Sequence, residues 1–323
     1  MKIAILDDWF DTLRTLPCFE TLAGHDVTVH TDHVEDAASL ADRLGGVEAL
    51  VLFRERTPVT ADLIARLPDL KLVSQRGVHP HIDVEACTKA GILVCSRKGP
   101  GAPNVAAAEH TFALILSALR NIPAENAALK AGQWQTGVGR TARGKRLGIL
   151  SYGKIGRIVA GYARAFGMEV VVRGRDGSRE AALADGHAVV PDRAAFFAES
   201  DIVTLHARLT PETRGMVTAG DLGAMKRDSI LVNTARAALI APGALLAALD
   251  AGRPGMAALD VFDEEPTTTD PLIRHARVIA TPHIGFVTRE ELDMQFRDIF
   301  DQIVAYDAGA PINMVNPEAW SRT

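Results

Sequence analysis

Three polar groups of unlike chemistry follow three apolar runs late in the chain. Ile230–Asn233 leads into Thr234, Ala235 and Arg236. Ala257–Val261 contains Asp260 and leads into an acidic run ending in Glu265 and Pro266. Val278–Thr281 leads into Pro282, His283, Ile284 and Gly285. An arginine can hold a carboxylate in a two-point fork and polarise the neighbouring carbonyl. A histidine, with a reference pKa of ~6.5, gives or takes a hydroxyl proton near neutrality. A carboxylate beside the ring orients it and favours its charged form. Arginine, carboxylate and histidine together suit hydride transfer to or from a 2-oxo or 2-hydroxy acid. Each also has an ordinary reading alone: a helix-end charge, a solvated turn, a hydrogen-bonded loop residue. Three in succession at strand ends fit a shared site better than three coincidences.

Hydride transfer needs a carrier, and the stretch Arg146–Arg157 offers a place for one. Leu147 to Leu150 is an apolar run that predicts a buried strand. A glycine turn follows, and then Ile155, Ile158, Val159 and Tyr162 recur at helical spacing. Strand, tight turn and helix place a pyrophosphate at a helix N-terminus, where free N–H groups and the macrodipole favour anionic oxygen. Gly153 would let the backbone approach the phosphates, and Gly156 would let the helix pack closely on the strand. Ser151 stands where G-x-G-x-x-G has its first glycine, and the motif alone is a weak signal. An acid ~20 residues further on would bind the ribose of NAD. Here Gly174 occupies that place, between Arg173 and Arg175. An uncharged site flanked by guanidinium groups suits a 2′-phosphate, which leans the cofactor reading from NAD toward NADP. The alternative is that Asp176, two residues late, supplies the acid.

The elements that would position these groups alternate from the start. Strands are predicted at Lys2–Leu6, Val27–His30, Ala49–Phe53, Leu70–Ser74 and Ile92–Cys95. Helices lie between them, including Thr60–Arg66, capped by Thr60, and Val84–Ala90. Such alternation gives a parallel sheet, whose ligands sit beyond the strand C-terminal ends. Arg54 and the stretch Gln75–Val78 fall there. Arg54 is a candidate for a substrate anion, and the Gly77 region for backbone N–H groups; a solvated arginine and a plain loop are the plain alternatives. Two prolines and two glycines in Lys98–Asn104 mark a domain boundary. The helix that follows, Val105–Arg120, is apolar on most faces and predicts burial between domains or subunits. Glu109 and His110 inside it would then need partners, and an interdomain ion pair is expected there. A second set of strands follows at Val170–Val172, Ile202–Leu205, Ile230–Asn233, Ala257–Val261 and Val278–Thr281.

The chain has 323 residues, 47% of them hydrophobic, and a net charge of -5. That length allows two domains with their own cores. Mild acidity disfavours nucleic acid as the main partner. Cys18, Cys87 and Cys95 show no metal spacing, so no metal is expected, and free thiols in a reducing cytoplasm are. The N-terminal apolar run is too short for a signal peptide, and no apolar stretch reaches the ~18 residues needed to span a membrane.

These motifs resemble those of the D-isomer-specific 2-hydroxyacid dehydrogenases, which include glyoxylate/hydroxypyruvate reductases and D-3-phosphoglycerate dehydrogenases. The likeness rests on Gly144–Gly148, Leu205–His206, Leu209–Gly215, Leu231–Arg236, Ala258–Phe262, Glu265–Pro266 and Pro282–Gly285, and it covers essentially the whole length. It implies an α/β fold of two doubly wound parallel-sheet domains. A Rossmann NAD(P)-binding domain, residues 102–286, would be inserted into a flavodoxin-like substrate domain made of residues 1–101 and 287–323. A helix at about 288–306 would return to the first domain. Arg236, Glu265 and His283 would be the catalytic triad, with Glu265 paired to His283. The cofactor would meet Ser151, Tyr152, Gly153, Lys154, Ile155, Gly156, Arg173, Gly174, Arg175, His206, Ala207, Arg208, Thr213, Thr234, Ala235, Asp260, His283 and Gly285, with Asp260 on the nicotinamide carboxamide. The substrate carboxylate would meet Arg54, Arg76, Gly77, Val78 and Arg236. A homodimer joined through the long-helix region is also implied. Ser151, Arg208 (in place of a usual proline) and the Arg76 loop with His79 and His81 depart from the pattern, and these departures bear on the substrate more than on the reaction. The expectation is a NAD(P)-dependent reductase of a small 2-oxo acid such as glyoxylate or hydroxypyruvate. With no further C-terminal regulatory domain, feedback by serine is not expected. A dinucleotide-sensing, corepressor-like protein is the competing class. Formate oxidation fits less well, because formate enzymes of this family carry glutamine at the Glu265 position.

Overall fold

The computed structural model describes residues 1–97 and 105–320. The chain divides into two compact units, Met1–Pro100 with Val287–Thr323, and Gly101–Phe286. The boundary expected at Lys98–Asn104 falls outside the described residues.

The first unit is built on five parallel strands: β1 (Lys2–Ile5), β2 (Asp26–Val29), β3 (Ala49–Val51), β4 (Leu72–Arg76) and β5 (Leu93–Arg97). Their order, β2-β1-β3-β4-β5, is the flavodoxin-like one. Both faces are covered, so the strands read as continuous apolar runs rather than alternating ones. Ala49, Leu50 and Val51 are all fully buried. Helix Ala61–Ala65 starts where predicted, because the Thr60 hydroxyl accepts the N–H of Leu63. The helix Arg289–Asp307 belongs to this unit and is capped by Thr288. Gln302 donates to Ser74 Oγ at 2.9 Å and to the Gln75 carbonyl at 3.0 Å. Phe296 packs 5.0 Å from Phe53, ring centre to ring centre.

The second unit holds seven parallel strands: β6 (Arg146–Leu150), β7 (Glu169–Arg173), β8 (Ala188–Val189), β9 (Ile202–Leu205), β10 (Ile230–Asn233), β11 (Met256–Leu259) and β12 (Val278–Ala280). Their order is β12-β11-β10-β9-β6-β7-β8. The chain reverses its direction of travel across the sheet between β6 and β9, which is the switch point where such sheets bind dinucleotides. Separate apolar cores lie on the two faces. One contains Phe112, Ile115 and Val159, and the other Phe196, Leu222 and Leu249. The register fixes a common rim. Leu150 pairs with Arg173 and Leu205, Leu205 with Asn233, Asn233 with Leu259, and Leu259 with Ala280. The next residue on each strand (Ser151, His206, Thr234, Asp260, Thr281) therefore falls on one line across the sheet.

Candidate active site

The rim begins at the glycine turn. Ser151 adopts φ +75°, the left-handed region that the fingerprint normally gives to glycine. The turn is thus preserved with serine at a strain of about 1 kcal/mol. A Cβ at Gly156 would lie 2.9 Å from the Ser151 carbonyl, so only glycine lets the helix approach β6 this closely. Gly153 is the N-cap of helix Lys154–Ala165, and no side chain caps it. Open space surrounds its Cα on the side where a Cβ would sit. The first N–H groups of that helix are left for an anionic oxygen, and the turn fits a dinucleotide pyrophosphate. Lys154 is exposed, and Ile155 packs on the core. Tyr152 is buried and points elsewhere. Its hydroxyl donates to Asp185 at 2.9 Å, and burial, reinforced by that bond, pushes the phenol up to about 12. Only its backbone is left near the turn.

At the end of β7 the two arginines separate. The Arg173 guanidinium donates to the carbonyls of Val190 and Pro191 and is a sheet-edge staple. Arg175 is exposed at the start of helix Asp176–Ala184. Asp176 is paired with Arg179 on its own helix. A Cβ at Gly174 would lie 2.6 Å from Ser178 Cβ, and Ser178 Oγ accepts the Tyr152 N–H at 3.1 Å. An acidic side chain at position 174 therefore has no room.

Past β9, burial holds the His206 imidazole down to about 4, so it is neutral, and its Nε2 lies 3.0 Å from Thr204 Oγ1. Ala207 is buried and Arg208 exposed. Thr213 was expected at the cofactor, but its hydroxyl works inside the loop. It donates to the Arg208 carbonyl at 2.6 Å and accepts the Thr210 N–H at 2.8 Å.

The chemical groups come next. Asn233, fully buried, shapes the turn after β10 by accepting the Ala235 N–H at 3.0 Å and donating to the Arg236 carbonyl at 2.9 Å. Sequence reading gave this residue no role; a buried asparagine at a strand end followed by small residues is an Asx-turn signal. Thr234 Oγ1 is 2.6 Å from Thr111 Oγ1 on the long helix. Arg236 is exposed, and one of its nitrogens donates to the Ala235 carbonyl at 2.7 Å. His283 Nδ1 lies 2.5 Å from Glu265 Oε2, with the two side chains 29% and 32% exposed. Burial alone would raise Glu265. The His283 hydrogen bond, the Phe262 N–H and the charges of His283 and Arg236 hold it below the usual carboxylate range instead. An ionised Glu265 keeps a proton on Nδ1 and turns Nε2 outward. Asp260, 1% exposed, accepts from Thr281 Oγ1 at 2.6 Å, from Ile284 N–H at 2.9 Å and from Gly285 N–H at 2.8 Å. Burial would raise it too, but His110, Thr281 and the Ile284 amide keep it ionised. Oδ1 takes the Thr281 and Ile284 bonds, and Oδ2 takes the Gly285 bond. Ala235 is half-buried beside Thr234.

Two expectations for the long helix change. Glu109 is exposed. His110 is half-buried, but its partners, Thr281 and Asp260, lie in its own unit rather than in the other. In the first unit, Arg76 is also not the open guanidinium expected. Its Nε donates to Asp298 at 2.7 Å, and Arg97 shares the same carboxylate. The Gly77 N–H donates to the Arg97 carbonyl at 3.2 Å, which leaves exposed Val78 as the projecting residue of that loop. Arg54 follows β3 at φ +64°. His79 Nδ1 and both ring nitrogens of His81 are buried without hydrogen-bond partners. Among the described residues no group of three or more metal-binding side chains occurs.

Residues 112–285 match the family model for the NAD binding domain of D-isomer specific 2-hydroxyacid dehydrogenases. The chain is 36% identical over 293 residues to D-3-phosphoglycerate dehydrogenase of Bacillus subtilis, covering 88% of this chain and 55% of that protein. It is 38% identical over 272 residues to glyoxylate reductase of Aeropyrum pernix, covering 80% of each. It thus spans about half the length of the phosphoglycerate dehydrogenases it matches. A solved phosphoglycerate oxidoreductase from Vibrio cholerae o395 superposes with a TM-score of 0.89 at 45% identity, covering 96% of this chain and 100% of that one. The chain belongs to the D-isomer specific 2-hydroxyacid dehydrogenase family, and its second unit is the family's nicotinamide-dinucleotide-binding domain.

Proposed function

We propose that the protein reduces a small 2-oxo acid, such as glyoxylate or hydroxypyruvate, to the D-2-hydroxy acid. The single observation that carries this reading is the 2.5 Å Glu265–His283 pair standing within the field of Arg236 on the dinucleotide-binding rim. A reduced nicotinamide, when bound, supplies the hydride. Arg236 grips the substrate carboxylate and polarises the adjacent carbonyl. His283, charged and held through Nδ1 by Glu265, donates the Nε2 proton to the oxygen that becomes the hydroxyl. In oxidation the same nitrogen takes that proton back. In the first unit Arg76 serves Asp298.

The finer cofactor reading is NADP. It is supported by the closed space at Gly174, the commitment of Asp176 to Arg179 and the exposed Arg175. An assembly of two copies through the region that follows the long helix is part of the proposal. It is supported by Trp134 and Val138, which are 77% and 94% exposed. A cytoplasmic location rests on three free, buried cysteines.

The test is steady-state reduction of a panel of 2-oxo acids with NADH and with NADPH. Turnover of at least one short 2-oxo acid, faster with NADPH, is expected. Tight dinucleotide binding with no turnover on any acid would favour the dinucleotide-sensing alternative.

A further inference from the structure

The long helix Val105–Arg120 packs an apolar face on the seven-stranded sheet. Two polar side chains near its start reach the rim. Thr111 meets Thr234, and His110 meets the end of β12. His110 Nε2 is 3.0 Å from Thr281 Oγ1 and 3.2 Å from Asp260 Oδ1. The Thr281 hydroxyl spends its hydrogen on Asp260 in the shorter bond, 2.6 Å. The Thr281 oxygen is then an acceptor toward His110, so His110 Nε2 carries a hydrogen shared between Thr281 and Asp260.

What this network holds is the segment bearing His283. The other bonds to Asp260 come from the N–H groups of Ile284 and Gly285, the two residues directly after His283. His283 itself sits at φ +53°, a left-handed conformation that a histidine keeps only where its surroundings impose it. Contact is close on the helix side as well. A Cβ at position 285 would lie 3.0 Å from Asp260 Oδ2 and 3.6 Å from His110 Cδ2. The anchor therefore runs from the helix through His110 to Asp260 and Thr281, and from there to the backbone on both sides of His283.

We propose that His110 is a positioning residue for the reaction. Its ring nitrogen serves Thr281 and Asp260. It fixes Asp260 and Thr281, so that residues 281–285 hold the His283 ring and the nicotinamide end of the site in one geometry. The proposal rests on the reading that His283 exchanges the substrate proton.

Three variants test it: His110→Leu, His110→Gln and Thr281→Val. Glutamine places an N–H donor near the position of His110 Nε2, whereas leucine fills the space without one. His110→Leu and Thr281→Val should each lower kcat about tenfold or more, since small misplacements of a catalytic group carry such losses. KM for the oxo acid should change by less than about threefold, and His110→Gln should recover most of the lost kcat. A merely structural role would lower thermal stability in all three variants and leave kcat per folded molecule unchanged. A kcat within about twofold of wild type in both His110→Leu and Thr281→Val overturns the proposal, as does equal loss in His110→Gln and His110→Leu. If His110→Leu does not fold, the contrast between Thr281→Val and His110→Gln decides between the two roles in the same way. Wild-type turnover is read first, because its absence defeats the reductase reading separately. In that event calorimetric binding decides. His110→Leu should weaken the reduced dinucleotide and leave ADP-ribose, which lacks the nicotinamide, unchanged; equal effects on both ligands overturn the proposal.

Discussion

Glu265 carries a charge that two cations share. Its carboxyl is held down by His283 and Arg236 against the opposing effect of burial. A depressed folded pKa means that the stability contributed by the ionised Glu265 is fully present above the unfolded value of ~4.3 and is lost only as pH falls through the lower folded value. The acid side of the pH–rate profile should therefore stay flat down to the ordinary carboxylate range. Glu265→Gln removes the anion that favours the charged ring. The basic limb of kcat/KM for reduction should then move to lower pH, and a limb that stays in place would remove Glu265 from this role. The two arginines after β7 make a second residue-level pair. Arg175→Ala should raise KM for NADPH about tenfold or more with little change for NADH, because one charge-assisted phosphate contact is lost. Arg173→Ala should show no such discrimination and should lower thermal stability, since Arg173 binds the Val190 and Pro191 carbonyls. The sequence presented these arginines as equals. Only the Val190 and Pro191 carbonyls that Arg173 reaches, 17 and 18 residues away, separate them.

At the scale of elements, the strands were readable because both sheets are covered on both faces. Ile202–Leu205 and Ile230–Asn233 are buried at every position and appear as the apolar runs predicted. The strand Ala188–Val189 was missed: it has two residues at the sheet edge and carries no periodic signal. The helix Val105–Arg120 was legible as buried, but its polar contacts were not. His110 finds Asp260 and Thr281 some 150 and 171 residues later, a separation that no local pattern encodes. Arg76 likewise looked open until Asp298, 222 residues on, was brought beside it. The glycine turn gives an element-level prediction. Ser151→Gly should relieve left-handed strain and raise stability by up to about 1 kcal/mol, seen as a Tm higher by a degree or more. Ser151→Val should lower Tm, because a β-branched residue tolerates that φ worst. Equal Tm values for the two variants would mean that the turn stores no strain.

In the whole molecule, the motifs at the ends of β9 to β12 were legible because parallel register sets successive strand ends side by side, so spacing along the chain becomes adjacency across the rim. The Glu265–His283 contact followed from that arrangement together with the family resemblance. The loops of the first unit were less legible, since Arg76 is committed to Asp298 and the Gly77 N–H to the Arg97 carbonyl by contacts within the unit. The proposed pairing of two copies is supported by the exposed Trp134 and Val138. Light scattering should give twice the chain mass of 34.6 kDa, and Trp134→Glu with Val138→Glu should give a single chain; a wild type that is already monomeric would contradict the pairing. The central claim is that His283 moves the substrate proton while Arg236 holds the carboxylate. Single-turnover oxidation of bound reduced cofactor by glyoxylate, or by the best acid of the panel, tests it most directly. His283→Ala should slow that step about 100-fold or more with cofactor affinity unchanged. A rate within a few-fold of wild type would contradict the account.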